Sequence, residues 1–133
     1  MAFELPITAF RHAPWGGRQL TLLADDWSDA TFEWAFSPKP GTAALITLET
    51  EPAGTQGVFA AYDPDYIHPR TGVAVGATEI MPLINQASLE GLPSPDPASA
   101  DIVLYHTLYA TPANGLRVAV CFGSFTIKQG APG

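Results

Sequence analysis

The chain has 133 residues, of which 47% are hydrophobic and only 14% charged. That length fits one domain with an ordinary core, and the composition excludes global disorder, which couples low hydrophobicity to high net charge. Six Lys and Arg against thirteen Asp and Glu give a net charge of −7, and the cations are scattered at Arg11, Arg18, Lys39, Arg70, Arg117 and Lys128. A phosphate-neutralising face is therefore not expected, nor nucleic acid as a partner. No apolar run reaches the ~20 residues of a membrane span. The segment Met1 to Phe10 lacks the basic and long apolar regions of a signal peptide. The lone Cys121 cannot form an intrachain disulfide and fits synthesis in a cytoplasm. With so few charges the surface is left to small polar and apolar residues, a composition suited to being covered by neighbours.

Thirteen Pro and twelve Gly are spread along the chain, and they divide it into short segments. Glu4 to Phe10 is apolar but carries Pro6, so it reads as an edge strand or an extended arm. Arg18 to Ala24 reads as a strand. Thr31 to Phe36 alternates, with Phe32, Trp34 and Phe36 on one face. Pro38-Lys39-Pro40-Gly41 is a turn, and Ala44 to Glu51 and Gly57 to Tyr62 are further strands. Thr71 to Ile80 reads as a strand with Val73 and Val75 inward, followed by a helix within Pro82 to Leu92 that Pro82 would start. Leu92 to Ala100, with Pro93, Pro95 and Pro97, is a loop. Ile102 to Thr111 is the longest clean strand, and Asn114-Gly115 tolerates the positive φ of a hairpin turn. Leu116 to Phe122 and Ser124 to Lys128 complete the chain on either side of Gly123, expected as a bulge or kink. The expected fold is all-β: a single antiparallel β-sandwich with one short helical turn, an arm over residues 1–16 and the sandwich over 17–133.

Three carboxylates crowd Asp25-Asp26-Trp27-Ser28-Asp29, but the spacing of a calcium loop is missing, and a turn capped by an Asp side chain is the simpler expectation. The proline-framed loop Asp63-Pro64-Asp65-Tyr66-Ile67-His68-Pro69-Arg70 mixes acids, aromatics and a cation, and is the first place to look for contact with a partner. His12, His68 and His106 lack zinc-site spacing, and His106 shares a strand face with Ile102, Leu104 and Leu108, as a core histidine would. Cys121 in an apolar strand is expected to be an inert thiol. There is no nucleophile elbow, phosphate loop or dinucleotide fingerprint, so no catalytic residue, metal or cofactor is assigned and the chain is read as non-enzymatic. The strand aromatics, Tyr105 and Tyr109 included, are expected in the core. Trp15, in Pro14-Trp15-Gly16-Gly17, is instead expected to anchor the arm in a neighbour.

Several short motifs, taken in order over residues 19–130, resemble the small immunoglobulin-like β-sandwich proteins of tailed bacteriophages, the tail- and baseplate-associated type. They are Asp26-Trp27-Ser28-Asp29-Ala30-Thr31-Phe32, the turn Ser37-Pro38-Lys39-Pro40-Gly41, Leu89-Glu90-Gly91-Leu92-Pro93 ahead of Tyr105, and Asn114-Gly115 feeding Gly123-Ser124-Phe125-Thr126-Ile127. One departure is His106, which stands where that family often has Asp after the strand tyrosine. The resemblance implies an immunoglobulin-like sandwich and a virion structural component, made in a bacterial host's cytoplasm, with other virion proteins and copies of itself as partners. The contact residues expected are Phe3, Leu5, Ile7, Phe10 and Trp15 in the arm, and Asp63, Asp65, Tyr66, His68 and Arg70 in the loop. Removing residues 1–16 is then expected to leave a folded domain unable to assemble. The alternative expectation is a carbohydrate- or receptor-binding module that uses the same loop.

Overall fold

The structure, a computed structural model, describes residues 2–17, 19–23, 26–93 and 100–129. The elements are β1 (Phe3–Glu4), β2 (Ile7–Phe10), β3 (Trp15–Gly16), β4 (Leu20–Leu23), β5 (Thr31–Ser37), β6 (Ile46–Glu49), β7 (Gly57–Asp63), β8 (Ala77–Ile84), α1 (Gln86–Glu90), β9 (Ile102–Thr111) and β10 (Val118–Lys128). They form two sheets. The larger runs β1-β10-β9-β5-β6, with β2 following β1 along β10. In the smaller, β8 pairs with β7 on one side and with β3 and β4 on the other.

Alternation along the strands builds the core between the sheets. β5 sends in Phe32, Trp34 and Phe36, β9 Leu104, His106, Leu108 and Ala110, and β10 Phe125 and Ile127. From the smaller sheet, Trp15 meets Trp34, Phe36 and Phe125 edge-on, at centroid distances of 5.6, 6.0 and 5.0 Å. Edge-to-face rings at this range add to their burial energy, so Trp15 ties the two sheets at their centre.

Four expectations need correction. First, the sandwich is not purely antiparallel, because β1 and β2 run parallel to β10. The chain interrupts this edge at Leu5-Pro6, where proline has no N–H to give the ladder. Second, Gly123 does not divide β10. The register shift lies between Ala119 and Cys121, and Gly123 pairs with His106 inside a continuous strand. Third, β8 begins only at Ala77, and Val73 is exposed. The residues before it fold back as an extension of the β7–β8 hairpin, through Val75 N–H to the Tyr66 carbonyl and His68 N–H to the Val73 carbonyl, both 2.9 Å. Fourth, Pro82 lies within β8, and the helix is only the five residues of α1. A side chain on Gly16 would sit 2.8 Å from the Pro82 carbonyl oxygen, so that carbonyl faces β3. The Pro82 nitrogen then points to the break between β3 and β4, where no ladder donor is needed.

Of the expected Leu92 to Ala100 loop, 94–99 lie outside the described residues, as do Arg18, Ala24 and Asp25.

Candidate functional site

The arm expected to reach a neighbour lies against this chain's own sheet. Ile7 is buried, and Trp15, only 6% exposed, sits in the core. Leu5 N–H donates to the Phe122 carbonyl at 2.7 Å, and its own carbonyl faces His106 Nε2 at 2.6 Å. Phe3 and Phe10 alone of the five arm residues are exposed. The segment's end is also fastened. Buried Arg11 donates to the carbonyls of Glu90, the last residue of α1, and of Leu92 just beyond it, at 3.0 and 2.9 Å. His12 Nδ1 lies 2.8 Å from Glu90. The Glu90 carboxyl is held below its ordinary pKa by the hydrogen bond from His12 and then that from Gln86.

In the loop Asp63 to Arg70, the side chains of Asp63 and His68 bond the local backbone. Asp63 Oδ1 accepts the Asp65 N–H at 2.9 Å, and His68 Nδ1 accepts the N–H groups of Arg70 and Thr71 at 3.1 and 3.4 Å. The loop presents a mixed surface: Asp63, Asp65 and Arg70 are exposed beside Ile67 (54%), and Val73 across the hairpin is 58% exposed. Asp26 behaves as the turn reading expected. Its carboxylate takes both the Ser28 hydroxyl (2.6 Å) and the Ser28 N–H (2.9 Å), which lowers its pKa. Among the described residues, no group of three or more His, Cys, Asp or Glu is placed to hold a metal ion. Cys121 is fully buried, and burial pushes its thiol pKa up to about 12.

A broad concavity lies elsewhere, on the outer face of the larger sheet. The inward residues of β9 leave Val103, Tyr105, Thr107, Tyr109 and Thr111 facing out. Tyr105 is opposite Ser124 and Ser37, and Thr107 is opposite Phe122 and Ala35. Phe122 therefore sits diagonally between the two tyrosines. The rings flank a groove of about 620 Å³, floored by Ala35 and Thr107 and closed on the far side by the Pro40–Thr42 turn. Glu4 lines the same groove.

A second hollow of about 360 Å³ adjoins it across Tyr109 and holds Glu33, Glu49 and Arg117. Glu33 and Glu49 are directly opposite in the β5–β6 register, an unfavourable like-charge pair. Arg117 offsets it: the guanidinium bonds Glu33 at 2.5 Å and lies 3.8 Å over the Tyr109 ring. Tyr109 is thus covered, while Tyr105 (41% exposed) and Phe122 (43%) are open. The core expected for Tyr105 and Tyr109 is thereby corrected. The signal was present in the sequence: if Ile102, Leu104, His106 and Leu108 share one face, strand periodicity places both tyrosines on the other.

Compared with known protein families and with curated proteins, the chain matches none.

Proposed function

We propose that this chain is a non-enzymatic structural component of a tailed-bacteriophage virion, with an immunoglobulin-like sandwich that works by docking on other virion proteins and on copies of itself. The observation that carries this reading is the hairpin extension between β7 and β8. It is built by its own backbone and Asx-turn hydrogen bonds, and its tip offers Ile67 and Val73 to a partner. A preformed tip loses little conformational entropy on docking, and in a ring of copies symmetry repeats a modest contact many times. The low charge of the chain and the ordered motifs of the sequence support the same reading.

The test is immunogold electron microscopy with antibody to this chain, on phage particles from the culture that carries its gene. Gold on heads, necks or tails is the expected result, and its position distinguishes a shell role from a connector or tip role. Well-imaged particles with no gold, and no trace of the chain in their denatured lysate, overturn the proposal.

A further inference from the structure

We propose that the outer groove of the larger sheet binds a neutral saccharide, with Tyr105 and Phe122 as its stacking platform. This inference is independent of the virion reading. Tyr105 and Phe122 are diagonal neighbours on adjacent strands, in the register Tyr105 to Ser124 and Phe122 to Thr107. Such positions lie about 7–8 Å apart, within reach of one ligand for aromatic side chains. Both rings are exposed on rigid central strands, so the platform exists before a ligand arrives. Between and beside them the floor is kept low by Ala35 and Thr107, with the Ser124 hydroxyl at its edge. Flat apolar faces next to hydroxyls match a pyranose ring, which has an apolar C–H face and an equatorial belt of hydroxyls.

Charge selects the class of occupant. Glu4 brings a carboxylate into the groove, and no Lys or Arg is among the described residues that line it. Two cations lie nearby: Lys39, in the turn next to the lining residue Pro40, and Arg117, which is held by Glu33 and Tyr109 in the adjoining hollow. An anionic ligand would meet the like charge of the Glu4 carboxylate inside the groove. A second copy docking face to face would add its own Glu4, Glu33 and Glu49 to a face that already carries these three carboxylates, and like-charge juxtaposition disfavours that pairing. A neutral sugar meets neither obstacle, and its hydroxyls can donate to the Glu4 carboxylate.

The test is amide NMR of the full chain, titrated with the hexasaccharides of cellulose, laminarin, starch, mannan and chitin, with hyaluronan hexasaccharide as the anionic control. The expected result is saturable shifts at Tyr105, Thr107, Phe122 and Ser124 with at least one neutral oligosaccharide, and none there with hyaluronan. Tyr105→Ala and Phe122→Ala should each weaken that binding about tenfold or more without moving the melting temperature. Thr107→Trp, which fills the floor and leaves both rings in place, should abolish it. Tyr66→Ala, in the hairpin extension, should leave it unchanged. Absence of shifts with every neutral oligosaccharide, shifts confined to other surfaces, or equal response to hyaluronan overturns the proposal.

Discussion

His106 is held between a donor and an acceptor, and this dictates its charge. The Trp34 indole N–H, which can only donate, points at Nδ1 from 3.0 Å. Nδ1 is therefore the bare nitrogen, and Nε2–H donates to the Leu5 carbonyl. A second proton would set two N–H groups against each other inside the aromatic core. Burial lowers the pKa of His106 from its ordinary 6.5, opposed by the Leu5 carbonyl, which raises it. Because the folded value is depressed, the unfolded chain takes up its proton first as pH falls. The contribution to stability is complete above pH 6.5 and is lost below it, as pH falls towards the folded value. Each unit of depression costs about 1.4 kcal/mol once both forms have titrated. Melting temperatures measured from pH 8 to pH 5 should fall, and the slope between pH 6.5 and 5 should flatten in His106→Gln, which cannot titrate. Equal slopes in the two proteins would show that His106 is not the group responsible. Trp34→Phe keeps most of the packing but removes the indole donor. It should destabilise by about 1–3 kcal/mol by leaving Nδ1 buried without a partner, as read by denaturant titration.

At the scale of an element, the N-terminal segment is part of the domain's own sheet and core. Its central contact passes over Gly123, where an added Cβ would lie 2.9 Å from the Leu5 carbonyl oxygen, the atom His106 binds. Backbone at φ 151° also favours glycine there. Gly123→Ala should cost about 1–3 kcal/mol by overpacking. The loss should appear first as faster amide exchange at Leu5, whose N–H pairs with Phe122, ahead of the central strand β9. Trp15→Ala should cost about 3–5 kcal/mol, as large aromatic truncations in cores do. Deleting residues 1–16 removes Trp15, Ile7 and Ala9 from the core together, along with the acceptor for His106 and the Arg11 bonds at the end of α1. Against a typical total stability of about 5–15 kcal/mol, that truncation should fail to fold, with far-UV and near-UV circular dichroism both collapsing. A cooperative melt in the truncated chain would show that the segment is dispensable after all.

For the whole molecule, what matters is how two sheets divide the surface between a projecting tip and a broad face. Ile67→Asp with Val73→Asp alters only exposed positions. It should leave stability within about 0.5 kcal/mol while lowering incorporation into particles, measured as copies per virion in purified phage. Unchanged incorporation would remove the hairpin from the assembly contacts. The broad face lies on the opposite side of the larger sheet from its core residues, so saccharide binding at Tyr105 and Phe122 should survive the tip substitutions.

Local patterning was enough to read the all-β class, the strands near Thr31–Ser37, Gly57–Asp63 and Ile102–Thr111, the Asp26 turn and the buried, inert Cys121. Alternation and turn residues act within a few positions, and those features need nothing more. For the N-terminal segment, edge strand and extended arm share one local signature, an apolar run containing proline. Only the parallel pairing with β10, and the gap that Gly123 leaves for the Leu5 carbonyl, separate them. Pro82 looked like a helix start because its missing N–H suits one. The break between β3 and β4 allows the same proline in a strand, and that break exists only once the chain has folded. The groove was hidden for a related reason. Tyr105 and Phe122 are 17 positions apart in sequence, and only the β9–β10 register brings them together, with Ala35 and Glu4 from two further strands.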